Sequence, residues 1–252
     1  MRTKKLWTKE EESILISKYG KMDAGDIFPD RTISSIYNKA NKLNLNGIHQ
    51  DYTCDNNFFS IPNILNSYYA GFIAADGCIY DKQRGQPIIQ LTCNDKEIIY
   101  ALHKDIKYTG IIELKSDLNP NHNTTYCIRV RSSKLANDLE KNWNITCNKS
   151  LTLQPPNITD LDLQLAYIKG YMDGDGGIYR YPSLTLFFCS GSYKMISWIK
   201  DILKSSNKIS SRKNGNLFSI KIYGETAKIA LHSFYSLDTP FITRKKKVFD
   251  GV

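Results

Sequence analysis

The chain has 252 residues, of which 41% are hydrophobic and 23% charged; this is ordinary globular usage, which excludes a coiled coil, a collagen-like repeat and long disorder, and leaves ample length for a core without disulfides. The net charge of +9 is spread unevenly, at +3 for residues 1–46, −2 for 47–190 and +8 for 191–252. Positive ends of this kind attract a polyanion, and without a basic amphipathic helix that polyanion is expected to be nucleic acid rather than a membrane. The six cysteines form no Cys-x-x-Cys pair and have no His at zinc spacing, so they are read as reduced thiols. With no apolar run of bilayer length and no signal core at the N-terminus, the expected location is the cytoplasm, or an organellar matrix or nucleoid, not the exterior.

Residues 6–45 predict three short helices. Thr8 followed by Glu11 is a capping box for the first, which presents Leu15 and Tyr19 on the face of Trp7. A second runs from Asp23 to Phe28. Thr32 caps a third, whose Ile33, Ile36, Ala40 and Leu43 recur at helical spacing and leave Ser34, Asn38, Lys39 and Lys42 outward. A polar, basic helix of this composition suits a major groove. The pattern Trp7-Thr-x-x-Glu11, Arg31-Thr-x-x-x-Ile36 and Lys42-Leu43 resembles a Myb-like helix-turn-helix domain, which implies DNA binding by residues 1–46. Residues 47–62, rich in Asn, Asp and Gly, read as a linker.

Beyond the linker the chain repeats itself. Cys93 falls on Cys189, Leu135 on Leu231 and Lys149 on Lys245 at one offset, while Tyr69-Ala-Gly-Phe-Ile-Ala-Ala-Asp-Gly77 falls on Ile168-Lys-Gly-Tyr-Met-Asp-Gly-Asp-Gly176 at an offset slightly longer. Residues 63–155 and 156–252 are therefore two copies of one unit. Each predicts helix (65–76, 163–175), strand pair (78–81 with 87–93, 177–181 with 184–189) and helix (95–105, 191–204). A second strand pair (109–116 with 124–131, 207–213 with 217–223) and a last helix (132–142, 225–236) complete it. The fold class is α+β, as a pseudo-twofold αββαββα pair.

The first helix of each copy carries small residues four apart, Gly71 and Ala75, then Gly170 and Gly174. That spacing lets two helix backbones meet along one seam. Each helix then ends in Asp-Gly, placing Asp76 and Asp175 at C-termini whose dipole disfavours negative charge. Packed together, the two carboxylates repel unless a proton or cation intervenes, and a hard divalent cation, Mg²⁺ or a substitute such as Mn²⁺, resolves the conflict. An EF-hand starting at Asp173 fails, because its twelfth position is Leu184 where a Glu is required.

The two motifs, Tyr69 to Gly77 and Ile168 to Gly176, resemble the signature motifs of the LAGLIDADG homing endonucleases in their single-chain, two-repeat form. The resemblance implies a saddle of two four-stranded sheets on a long double-stranded DNA site, with the motif helices over the minor groove. It implies metal binding by Asp76 and Asp175 beside Ala75 and Gly174, and a basic residue near the scissile phosphate in each repeat, here Lys149 and Lys245 or a neighbour within 245–247. It also matches Asn94 and Ser190 to a polar position that holds active-site water. Ala74, where the second copy has Asp173, departs from the motif at a position that does not bind metal in the family. The implied reaction is a metal-dependent double-strand break with short 3′ overhangs by a monomer. Rival readings on the same scaffold are an intron-RNA splicing maturase, a transcription regulator that binds without cleaving, and a nicking enzyme.

Strand alternation adds a surface for DNA. In 126–131, Tyr126, Ile128 and Val130 share one face and Arg129 and Arg131 the other; in 218–223, Lys221 lies opposite Ile220 and Ile222. With Lys115, Arg180 and Arg212 on neighbouring strands, a basic sheet face turned away from the helices is expected.

Overall fold

The computed structural model describes residues 6–19, 24–45, 52–80, 86–115, 124–180, 182–212 and 216–251. They fall into two compact units, one within 1–52 and one within 53–252.

The smaller unit holds helices α1 (Lys9–Lys18), α2 (Ala24–Ile27) and α3 (Ile33–Lys42) around Leu15, Ile27, Ile36, Ala40 and Leu45. The Thr8 hydroxyl accepts from the Glu11 N–H while Glu11 accepts from the Thr8 N–H, closing the capping box, and Thr32 caps α3 through the Ser35 N–H. Arg31 joins the elements: it donates to Glu11 at 2.7 Å and lies 4.0 Å over the Trp7 ring. Asp23, the expected start of the second helix, residue 46 of the expected arm and residues 47–51 of the expected linker lie outside the described residues.

The larger unit contains two copies of one arrangement. The first runs α4 (Ile64–Asp76), β1 (Gly77–Tyr80), β2 (Ile88–Cys93), α5 (Lys96–Asp105), β3 (Glu113–Lys115), β4 (Thr125–Arg131) and α6 (Ser133–Trp143). The second runs α7 (Leu161–Asp175), β5 (Gly177–Tyr179), β6 (Thr185–Ser190), α8 (Tyr193–Ile202), β7 (Ser210–Ser211), β8 (Phe218–Tyr223) and α9 (Glu225–Ser236). Each copy forms a four-stranded antiparallel sheet, ordered β1-β2-β4-β3 and β5-β6-β8-β7. Ile79, Leu91, Ile128 and Val130 of one sheet, and Ile178, Leu186, Phe188, Ile220 and Ile222 of the other, point into a shared core with the helices.

One expectation is corrected. Residues 53–62 are no linker: the Thr53 N–H donates to Thr109 Oγ1 at 2.8 Å, Asp55 N–H to the Ile106 carbonyl at 2.7 Å, and Phe59, 2% exposed, packs edge-on against Trp143. Burial of that aromatic ring binds the segment to the first repeat. The basic run 244–247 lies in a helix, α10 (Thr243–Asp250), which follows α9 within the second repeat.

Helices α4 and α7 meet at the pseudo-dyad. A Cβ added to Gly71 would lie 1.9 Å from the Tyr167 carbonyl oxygen, and one added to Gly170 would lie 1.9 Å from that of Tyr68. Each glycine thus receives the backbone of the partner helix, and the repeat maps either contact onto the other. Gly71→Ala or Gly170→Ala must force the helices apart; we expect a loss of about 3 kcal/mol, read as a melting temperature lower by roughly 6–12 °C. An unchanged melting temperature in both variants would contradict the seam.

Candidate active site

At the end of this seam the helices deliver their last residues side by side. A Cβ on Gly174 would lie 2.4 Å from the Ala75 Cβ and 3.4 Å from Asp76 Cγ, so Ala75 and Gly174 form the final contact before the two carboxylates. The motif helices stop there because Gly77 and Gly176 leave the helical backbone for extended conformation, Gly77 as the first residue of β1 and Gly176 as the residue before β5. Asp76 and Asp175 keep an exposed side. Burial of the remainder, joined by the charge of Asp175, pushes the Asp76 carboxyl up to about 6, and burial raises that of Asp175 as well.

Two buried ammonium groups flank the pair. Lys149, in a 3₁₀ turn (Lys149–Leu151), is 7% exposed and donates to the Gly77 carbonyl at 2.7 Å; Lys245, in α10, is 5% exposed and donates to the carbonyls of Met172, Asp173 and Gly176. Burial lowers both lysines, and their charges partly offset the rise at the aspartates. Each lysine-bearing segment is docked on the opposite repeat. Arg244 makes a bidentate pair with Asp95 at 2.9 and 2.8 Å, while Ser192 and Lys194 donate to Leu153 and Gln154 beyond the Lys149 turn. Of the run 245–247, Lys245 alone is buried at the seam; Lys246 pairs with Asp250 and Lys247 is exposed.

Among the described residues no three or more His, Cys, Asp or Glu side chains cluster as a metal site. The donor set at the seam is two hard oxygen anions with raised proton affinity, which suits an oxygen-seeking divalent cation.

Residues 64–144 match the family model described as the LAGLIDADG-like domain. The first repeat is LAGLIDADG-like. The homing endonuclease I-WcaI, solved on its DNA recognition sequence, is similar over 90% of this chain and 97% of its own, at 14% identity and a TM-score of 0.51. This likeness extends the LAGLIDADG fold to both repeats. Also similar are I-DmoI, solved with DNA and Mn, at 19% identity, 69% and 99% coverage and a TM-score of 0.49, and the meganuclease I-AabMI, solved on uncleaved DNA, at 13% identity, 75% and 88% coverage and a TM-score of 0.48. No curated protein matches the sequence.

In the LAGLIDADG-like repeat, Arg129 lies on the open sheet face as expected but is not an unpaired cation: it pairs with Glu113 and donates to Gln90 Oε1 at 2.8 Å. Arg131 is exposed on the same strand, and the side chain of Lys115 lies outside the described residues. In the second sheet Lys221 and Arg212 are exposed, beside Tyr179 and Tyr223 at 52% and 56% exposure, an aromatic contribution the charge pattern did not signal. Arg180 does not join this basic face, because its guanidinium donates to the Val248 and Phe249 carbonyls, where unpaired acceptors end α10. Lys39 of α3 pairs with Glu12, leaving Ser34, Asn38 and Lys42 exposed. Asn94 is exposed and accepts from Thr125 Oγ1, whereas Ser190 is buried with its oxygen accepting from the Ser192 N–H. Ser190 therefore stabilises the entry to α8 instead of facing an open cleft.

A polar cluster beside the seam was missed. Lys169, 1% exposed, donates to Thr239 Oγ1 at 2.5 Å and lies among the rings of Tyr68, Tyr235 and Phe241, and Asp173, also 1% exposed, accepts from Tyr68 Oη at 2.8 Å. Its one signal in the sequence is that the repeat places Ala70 and Ala74 at the matching positions.

A raised carboxyl favours the folded state only while protonated, so the contribution of Asp76 is present below about pH 4 and lost as pH rises through about 6. With chelator present, Asp76→Asn is expected to melt above the wild type at pH 8 and level with it at pH 4. Identical curves at both pH values would show that the two charges do not oppose folding.

Proposed function

We propose that the chain is a site-specific, divalent-metal-dependent DNA endonuclease of the LAGLIDADG type, with repeats at 63–155 and 156–252 behind a Myb-like helix-turn-helix arm at 1–46. The observation that carries this reading is the seam: two matched helices use close backbone packing to bring two carboxylates together, against their repulsion. A pure binding protein has no use for that arrangement. Asp76 and Asp175 are the residues that hold the cation, with Ala75 and Gly174 closing the floor beside them. When bound, a Mg²⁺ or Mn²⁺ ion neutralises the pair and supplies Lewis acidity toward a phosphate.

The chain's own part is positional and electrostatic. Both motifs lie in one polypeptide, so a monomer carries the whole centre. Hydrolysis joins a water oxygen to phosphorus, breaks one P–O ester bond and passes a proton to the leaving oxygen. Buried ammonium groups beside the carboxylates lower the cost of the negative charge that develops in that step. Arg131, Lys221 and Arg212 on the open sheet faces contact DNA, while Ser34, Asn38 and Lys42 present a polar helix face to a groove. The family form implies a break in both strands with short 3′ overhangs.

The test uses duplexes selected by the wild-type chain from a randomised library in Ca²⁺, then incubated with Mg²⁺. Asp76→Asn and Asp175→Asn should each cut linear product by at least about 100-fold while retaining the gel shift in Ca²⁺; wild-type cleavage from either variant would leave a binding protein. Deleting residues 1–46 should weaken binding and flatten its dependence on salt, by about one unit of log–log slope for every phosphate that the arm neutralises. An unchanged slope would remove the arm from DNA recognition.

A further inference from the structure

The matched lysines do not have matched surroundings. An ammonium has three N–H donors. Lys245 uses all of them, on the carbonyls of Met172 at 2.6 Å, Asp173 at 2.7 Å and Gly176 at 2.9 Å. Among the described residues Lys149 makes one hydrogen bond, to Gly77 at 2.7 Å. Gly77 and Gly176 are equivalent in the repeat, so the bond to the strand start is common to both copies and the two further bonds belong to the second alone.

Only the second repeat also buries a carboxyl group and a lysine, Asp173 and Lys169, beside this site. Asp173 places a carboxylate inside the protein, and the positive charge of Lys245 acts on it more strongly than that of Lys169 does. Conversely, the opposing charge that Lys245 feels most is Asp173, whereas for Lys149 it is Asp175, at the seam itself. One lysine has its three donors committed to carbonyls at the end of α7 and the residue beyond it; the other lies beside the carboxylate centre and, among the described residues, spends one donor, on Gly77.

Resting on the endonuclease reading above, we propose that the lysines have divided roles: Lys149 is a catalytic residue that donates to the phosphate on its side, and Lys245 is a positioning residue that clamps the end of α7 and with it Asp175. The two strands are then served unequally. The strand beside Lys149 is cut first, and nicked duplex accumulates before linear product.

The experiment follows each strand of a doubly labelled selected duplex in Lys149→Met and Lys245→Met, together with melting temperature and the Mg²⁺ concentration giving half-maximal rate. Lys149→Met should slow one strand by about 100-fold, with melting temperature and Mg²⁺ requirement unmoved. Lys245→Met should lower the melting temperature, raise the Mg²⁺ requirement and slow both strands by the same factor. Lys245→Gln, which keeps two donors, replaces the Met variant if that one does not fold, and should show the same effects in milder form. Mirror-image nicking by the two Met variants with equal melting temperatures would overturn the division. Should wild-type protein cleave no selected duplex, the endonuclease reading fails; the melting comparison needs no DNA and still decides, since equal losses at the two lysines overturn the proposal and a loss confined to Lys245 supports unequal anchoring.

Discussion

Everything in the larger unit depends on the contact of two glycines with two carbonyl oxygens. Gly71 and Gly170 let α4 and α7 approach until backbone meets backbone, and no side chain larger than hydrogen fits either place. Because these helices run directly into the first strands of their sheets, the seam also sets the spacing of the sheets. Because they end in Asp76 and Asp175, the same seam sets the spacing of the two charges. Fold and candidate site are therefore not separable: the helix packing that stabilises the core is what makes the carboxylate pair unfavourable.

The pseudo-symmetry is broken where burial and charge meet. Tyr68 and Tyr167 are equivalent, and both are fully buried. The hydroxyl of Tyr68 reaches Asp173 across the seam, whereas that of Tyr167 has no hydrogen-bond partner among the described residues, since the repeat puts Ala74 where an acceptor would be. An unpaired buried hydroxyl and a buried Lys169 held near 8, mainly by desolvation, are costs that a symmetric apolar seam would avoid. What they accompany is a rigid attachment of 237–243, the segment leading into α10 and Lys245.

The helices, the strand pairs and the glycine seam were legible because each rests on local periodicity or on internal repetition, and repetition doubles a weak signal. Asp76 and Asp175 were legible for the same reason. The central β2–β4 and β6–β8 pairings were not, since they join strands separated in the chain by a helix and a further strand and no local pattern encodes them. Long-range pairing also explains the other misses: Arg129 is held by Glu113 from a neighbouring strand, Arg180 is drawn to the end of α10, and Phe59 ties an apparent linker to Trp143. A basic residue on an alternating strand shows its face but not its partner. The polar composition of the run 244–247 does not show that one member is buried; Lys245 is held inside by the carbonyls of Met172, Asp173 and Gly176, which a local pattern does not place beside it.

The central claim is that the seam forces Asp76 and Asp175 into electrostatic opposition. Carbon-detected NMR of the aspartate carboxyls, titrated in chelator, measures this directly. Asp76 should titrate near 6, and its midpoint should fall when Asp175 is replaced by Asn or when Mg²⁺ is added. A midpoint at the ordinary aspartate value, unmoved by either change, would contradict the account.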